Sequence, residues 1–129
     1  MTQENTSDKP ESSAVWFEIP VRDLNEGKKF YGTVLDIGFQ DMNSEPNPIA
    51  IFDVADMQNK PAGHLYPGEP GSDGKGATVH LMVRDGLEAG MERVTASGGT
   101  VLSPEISLPA GRFAYCQDPD GNSFALFSK

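Results

Sequence analysis

Cysteine and basic residues are scarce in this chain of 129 residues, and their scarcity excludes several classes of protein. The single cysteine, Cys116, has no partner for an internal disulfide, which argues against a disulfide-rich secreted domain. Ten lysines and arginines stand against 19 aspartates and glutamates, and the formal net charge is −9. Because a phosphate backbone or an anionic membrane surface would repel such a chain, we expect neither nucleic acid nor a membrane as a partner.

Long hydrophobic runs are absent as well. No stretch approaches the roughly 20 consecutive apolar residues that a membrane-spanning helix needs. Residues 1–13, MTQENTSDKPESS, lack the apolar segment of a secretory signal, and their composition is typical of a disordered tail. We therefore expect a cytoplasmic protein with one domain over residues 14–129, long enough to bury a core without disulfides or metals.

The folded part opens with an alternating run, AVWFEIPV, which begins at Ala14 and predicts a strand with one packed face. A helix should follow, with Asp23 as its N-cap, Glu26 as the capping-box partner and Gly38 at its end. Three short strand-like runs come next: GFQDM, PIAIFDV and AGHLY.

The same order of elements restarts in the second half, with ATVHLMV, a helix capped by Asp85 and Glu88, and the runs TVLSPEISL, RFAYCQ and SFALFS. The tripeptide Val-Arg-Asp occurs at positions 21–23 and again at 83–85, an offset of 62 residues. We interpret the chain as two β-α-β-β-β modules, about 14–68 and about 77–129, joined by a linker at 69–76. The predicted fold class is α+β, with a curved, eight-stranded, half-barrel-like mixed sheet around a cavity.

One helix per module can cover only one face of its sheet, so the other face should line the cavity. On the two lead strands this face would carry Trp16, Glu18 and Pro20 in one module and Thr78, His80 and Met82 in the other. By the repeat, Glu18 is equivalent to His80, and Trp16 is equivalent to Thr78.

The motifs WFEIPVRDL, KKFYGTVLDIGF, PAG and GGTVLSP, and the closing GRFAYCQDPDGNSFALF, resemble the vicinal oxygen chelate superfamily. This superfamily includes glyoxalase I, fosfomycin and bleomycin resistance proteins and extradiol dioxygenases, and the chain is most similar to glyoxalase-related predicted enzymes. The resemblance implies a small-molecule cavity between paired modules, often completed by a homodimer. In the metal-dependent members it also implies a divalent ion, held by His, Glu or Gln on the first and last strands of each half.

The ligand positions that the resemblance implies fall on Trp16 and Thr78 of the lead strands, near Gly63, and on Ala125. None of these four residues offers an imidazole or a carboxylate, so we expect no bound metal and no other cofactor. Ordinary glyoxalase I chemistry is therefore not expected of this chain.

Glu18 and His80 are the candidate catalytic residues, as acid and base across the cavity. Two other roles stay open for this pair: lining a pocket without taking part in chemistry, or forming a displaced metal site together with His64. By the offset of 62 residues His64 matches Leu126, which predicts that its ring lies on the helix-covered face.

The candidate ligand-binding residues are Trp16, Thr78, Met82, Arg112 and Tyr115. Trp16 would supply a stacking surface or fill the space of an absent metal, and Arg112 and Tyr115 could reach an anionic ligand near the mouth. Three functions follow as hypotheses. The first is a metal-independent small-molecule binding protein or enzyme, expected as a homodimer; the second is a metal-dependent lyase, isomerase or dioxygenase; the third is a drug-sequestering resistance protein.

Overall fold

The structure is a computed structural model that describes residues 8–45 and 47–129, so residues 1–7 of the predicted tail lie outside the described residues. In chain order the elements are β1 (Phe17–Val21), α1 (Leu24–Leu35), β2 (Phe39–Met42), β3 (Ile49–Phe52), β4 (Gly63–Pro67), β5 (Val79–Met82), α2 (Leu87–Ala96), β6 (Thr100–Val101), β7 (Ile106–Leu108), β8 (Gly111–Gln117) and β9 (Ser123–Ser128). A short 3-10 turn, Ser72–Gly74, lies between the halves. No helix among the described residues is long and apolar enough to cross a membrane.

The strands form two mixed sheets, and the predicted α+β fold of two β-α-β-β-β modules is confirmed. The first sheet has the order β1-β4-β3-β2, and the second has the order β5-β9-β8-β6 with β7 also paired to β8. In each sheet the first and last strands of the module run parallel, and the other pairs are antiparallel. Residues 8–45 and 47–129 form nine strands rather than the eight predicted, because the run TVLSPEISL is divided into β6 and β7. Pro104 lies in the gap between them and has no N–H for a ladder, while the Ser103 hydroxyl accepts the Tyr115 backbone N–H at 2.9 Å.

The N-cap predicted from the sequence is correct for the helix of the first module and wrong for the helix of the second. The Asp23 side chain caps α1 and accepts the Glu26 backbone N–H at 2.9 Å, as predicted. The predicted cap by Asp85 is wrong, because Gly86, with φ of 109°, occupies the N-cap position of α2. The Asp85 carboxylate instead forms a two-pronged ion pair with Arg93, both contacts at 2.8 Å.

A single hydrophobic core takes side chains from both helices and from one face of each sheet. The first sheet contributes Ile19, Val21, Ala50, Phe52 and Leu65, and the second contributes Leu81, Val83, Ala114, Cys116, Phe124 and Leu126. These sets include the alternate lead-strand positions predicted to lie under the helices. Because both helix-covered faces point into one core, the opposite faces of the two sheets lie on the outside of the chain.

The repeated Val-Arg-Asp segments join the two modules. Arg22 donates to the Asp120 carboxylate of the second module at 3.1 Å, and Arg84 donates to the Asp36 carbonyl of the first module at 3.2 Å. A buried hydrogen bond of 2.6 Å from the Tyr31 hydroxyl to Asp118 also crosses the boundary. In each module, the segment between the lead strand and the helix therefore donates a hydrogen bond to the other module.

Candidate functional site

The uncovered sides of the two sheets are the surfaces on which the candidate residues lie. We call the side of the first sheet that carries Glu18, Ile51 and His64 the first open face. We call the side of the second sheet that carries His80, Phe113 and Tyr115 the second open face. Registered neighbours on adjacent strands share a side of the sheet, which fixes the membership of each face.

Three side chains on the first open face form a connected polar group. The Trp16 indole N–H donates to His64 Nδ1 at 2.9 Å, and His64 Nε2 lies 3.1 Å from Glu18 Oε1. Since Nδ1 accepts a hydrogen bond, the neutral imidazole carries its proton on Nε2 and donates a hydrogen bond to the carboxylate. The ring is therefore held in one tautomer, and Glu18, which remains exposed, accepts that hydrogen bond.

The expected position of His64 on the helix-covered face is wrong. In the parallel pairs, Glu18 lies opposite His64 in the first module, and His80 lies opposite Ala125 in the second. His64, rather than Gly63, is thus the structural counterpart of Ala125. The number of residues from Glu18 to its partner on β4 is one larger than the number from His80 to its partner on β9. The offset of 62 residues, which relates the lead strands, therefore does not relate β4 to β9.

Gly63 sets the close approach of β4 to β1 beside this group. A Cβ built on Gly63 would lie 2.8 Å from the Phe17 carbonyl carbon and closer still to the Phe17 oxygen, which are backbone atoms.

We expect Gly63→Ala to push the two strands apart, to lower the free energy of unfolding by about 1–3 kcal/mol and to disturb the Trp16–His64 hydrogen bond. Urea unfolding and the fluorescence spectrum of Trp16, the sole tryptophan, would measure both effects. The matched control is Gly76→Ala, where the added methyl meets open space although the φ of 94° adds local strain. An unchanged tryptophan spectrum in Gly63→Ala would contradict the expectation.

The second open face is aromatic rather than acidic. The His80 ring lies 5.0 Å from the Phe113 ring and 6.2 Å from the Tyr115 ring, and the last two rings lie 5.1 Å apart, all edge to face. The Thr78 hydroxyl forms a hydrogen bond of 2.5 Å with Ser123 on the neighbouring strand. Met82 is 45% exposed and Tyr115 is 40% exposed on the same side.

The structure brings some predicted site residues together and separates others. Glu18 and His80 lie on different sheets, and no hydrogen bond or ring contact among the described residues joins them. Arg112 lies on the helix-covered side of β8, where it contacts Glu88 at 2.7 Å and Glu105 at 2.6 Å. Hydrogen bonds with Glu88 and then Glu105 raise the pKa of Arg112 further above its ordinary value. The contribution of Arg112 to an open-face site is therefore not supported.

Three aromatic residues of the open faces were not singled out from the sequence. Phe113 shares a side of β8 with Tyr115, Phe127 of β9 lies opposite Phe113, and Tyr66 shares a side of β4 with His64. Strict alternation within GRFAYCQ and AGHLYP carries this signal. Cys116, in contrast, is a buried core residue, and burial raises the pKa of its thiol to about 11, so it remains an unreactive thiol at neutral pH.

The residues present do not fit a divalent metal. By strand register the family's four ligand positions correspond to Trp16, His64, Thr78 and Ala125, which supply one imidazole and one hydroxyl. Both nitrogens of that imidazole are already engaged, by Trp16 and by Glu18. Nowhere in residues 8–45 and 47–129 do three or more His, Cys, Asp or Glu side chains converge in a way that could hold a metal ion. The donor set falls short of the three or four ligands that a protein zinc site uses.

Comparison with known proteins identifies the family. The model of the Glyoxalase/Bleomycin resistance protein/Dioxygenase superfamily matches residues 13–126. The chain belongs to this family, and the resemblance predicted from its motifs is confirmed.

Individual relatives are more distant. A mycobacterial protein named "Putative glyoxylase CFP32", found in Mycobacterium bovis and Mycobacterium tuberculosis, is 25% identical over 115 residues, which cover 87% of this chain and 44% of that protein. The chain thus spans less than half of that relative's length. A glyoxalase/bleomycin resistance protein from Albidiferax ferrireducens superimposes with a TM-score of 0.68 at 22% identity, over 92% of this chain and 99% of the other. The fosfomycin resistance protein FosX from Listeria monocytogenes gives a TM-score of 0.63 at 18% identity, over 92% and 93%. At these identities the two structures establish the fold.

Proposed function

We propose that this chain is a small-molecule binding protein of the glyoxalase family that holds its ligand on the open faces without a metal ion. The observation that carries the proposal is the hydrogen-bonded group of Trp16, His64 and Glu18. It puts an indole where a metal ligand would stand and commits the imidazole to other partners. What remains available to a ligand is one exposed carboxylate and aromatic surface.

We further propose that the site is completed by a second copy of the chain. Six of the exposed large apolar side chains lie on the open faces or at their edges: Trp16, Met42, Met82, Leu102, Leu108 and Tyr115. Exposed apolar surface of this extent is typical of an interface. In a two-fold dimer the first open face of one copy can cover the second open face of its partner, and the symmetry repeats the contact to give two equivalent pockets. This arrangement would bring Glu18 near the partner's His80, which a single chain does not.

Within such a pocket Glu18 would serve as a hydrogen-bond acceptor or as a general base. The Nε2 proton of His64 stabilises the charged carboxylate, and Trp16 keeps that ring from turning. The drug-sequestering function stays a second candidate, because aromatic surface and one carboxylate suffice for binding without bond cleavage. A cytoplasmic location remains part of the proposal, since the thiol of Cys116 is free and buried.

Three measurements on the purified protein test this proposal together. We expect a dimer of twice 13.9 kDa by light scattering, no stoichiometric metal by elemental analysis after dialysis against Zn²⁺, Ni²⁺ or Mn²⁺, and thermal stabilisation by small organic molecules in the presence of EDTA.

Met82→Glu would place a charge on the second open face and should give monomers at micromolar concentration. Thr95→Glu, on the exposed side of α2, is the matched control and should remain dimeric.

Each measurement can contradict a separate part of the proposal. A monomer at high protein concentration removes the shared pocket. One equivalent of metal per chain, or stabilisation that requires a divalent ion, favours the metal-dependent alternative that uses Glu18, His64 and His80.

A further inference from the structure

Charged residues are nearly excluded from the strands of this protein, and their distribution between the two sides of the sheets is uneven. Across the described strands the Asp, Glu, Lys and Arg residues are Glu18, Asp41 and Arg112. Asp41 pairs with Lys28 of α1 at 2.7 Å, and Arg112 pairs with Glu88 of α2, so both lie on the helix-covered sides. Of these three described strand residues, Glu18 alone lies on an open face.

The charge of Glu18 is not neutralised by its surroundings. Its partner, His64, is held by the Trp16 N–H in the tautomer that donates from Nε2, so the imidazole contributes a hydrogen bond and no positive charge. The side chain of Glu18 is 61% exposed. Because none of the described strand residues on either open face is a lysine or arginine, an anionic ligand lying on these strands would meet the Glu18 carboxylate with no strand cation beside it.

Both open faces carry flat, polarisable side chains, although the face with Glu18 and the second face belong to different sheets. On the first face the Trp16 ring lies 5.7 Å from the His64 ring, which lies 6.1 Å from the Tyr66 ring. The second face carries the edge-to-face cluster of His80, Phe113 and Tyr115. Among these rings Trp16, His80 and Tyr115 are exposed, whereas Phe113 is buried beside them. Exposed aromatic rings stack with planar ligands, and their negative faces attract cations, each such contact being worth about 0.5–2 kcal/mol.

We propose, on the basis of the proposed shared pocket, that the ligand is a small planar aromatic cation, such as a protonated or N-methylated heterocycle. Its ring system stacks between the aromatic side chains of the two open faces, and its positive charge lies against Glu18. The aromatic clusters select planarity, and the exposed carboxylate of Glu18 selects the sign of the charge.

Isothermal titration calorimetry with three probes tests this ligand class on the intact dimer. The probes are 1-methylquinolinium, which is planar and cationic, 2-naphthoate, which is planar and anionic, and N,N-dimethylpiperidinium, which is cationic but not planar. We expect 1-methylquinolinium to bind with one site per chain and at least about tenfold more tightly than either of the others. Glu18→Gln keeps the shape of the side chain and an acceptor for His64, and it should weaken 1-methylquinolinium binding by about tenfold. Glu92→Gln removes an equal charge from the exposed side of α2 and should leave binding unchanged.

The outcomes separate this inference from the function on which it rests. Equal or tighter binding of 2-naphthoate or N,N-dimethylpiperidinium, with loss of that binding in Trp16→Ala or Tyr115→Ala, would overturn the ligand class while the pocket stands. Unchanged 1-methylquinolinium binding in Glu18→Gln would also overturn it. Absence of binding by every probe overturns the class, and the proposed function falls too if no compound of the thermal screen stabilises the dimer.

Discussion

Asp118→Ala is expected to lower the free energy of unfolding by about 3–5 kcal/mol, because it strips the acceptors from a buried hydrogen-bond network. The Asp118 carboxylate is buried, and it accepts the Tyr31 hydroxyl at 2.6 Å, the Asn122 amide at 2.9 Å and the backbone N–H groups of Asp120 and Asn122, both at 2.9 Å. Burial, and then the nearby Asp118 charge, raise the pKa of Tyr31 well above its ordinary value, so its hydroxyl stays a donor. Urea unfolding followed by circular dichroism measures the loss.

Tyr31→Phe is the matched control for this network. It removes one donor and leaves Asp118 with three, so its effect should be smaller, about 1.5–3 kcal/mol. If Asp118→Ala changed the unfolding free energy by less than Tyr31→Phe does, the carboxylate would not be the centre of the network.

Phe124→Ala is expected to cost about 3–5 kcal/mol of unfolding free energy, because it opens a cavity where the two modules meet. The Phe124 ring is fully buried on β9 of the second module, and it lies 5.8 Å from the Phe30 ring and 5.5 Å from the Tyr31 ring of α1 in the first module. Aromatic contacts at these separations add to the area that burial removes from water. The measurement is again urea unfolding, at one fixed protein concentration.

Phe127→Ala provides a control of the same residue type on the same strand. Phe127 lies on the opposite side of β9, is only partly buried and does not belong to the core. Its truncation should therefore cost clearly less than that of Phe124. Equal losses for the two variants would mean that the core does not occupy one side of the sheet alone.

Much of the fold follows from hydrophobic periodicity in this sequence. Alternation at Ile19 and Val21, and again at Leu81 and Val83, predicts which side of each lead strand is buried, because side chains on a strand alternate between the two faces. Asp23 predicts the start of α1 because its carboxylate satisfies a free backbone N–H of the first turn.

The details that the sequence does not reveal depend on single-residue shifts and on tertiary partners. One extra residue between β1 and β4 moves His64 to the open face, since a shift of one position reverses the direction of every side chain on a strand. The position of Asp85 is typical of a helix cap, but its carboxylate pairs with the Arg93 guanidinium from the last turn of α2 instead. The ion pairs of Arg112 involve α2 and the segment before β7, and no local pattern predicts them.

The two arginines of the repeated Val-Arg-Asp segments have a consequence for how this chain can be divided. Arg22 reaches into the second half and Arg84 reaches into the first, so each copy of the repeat finds its acceptor outside itself. A fragment cut within residues 69–76 would keep a complete set of strands and a helix, yet it would leave apolar side chains such as Phe30 or Phe124 facing water. The module is the unit that repeats in the sequence, whereas the unit that can fold is the pair of modules.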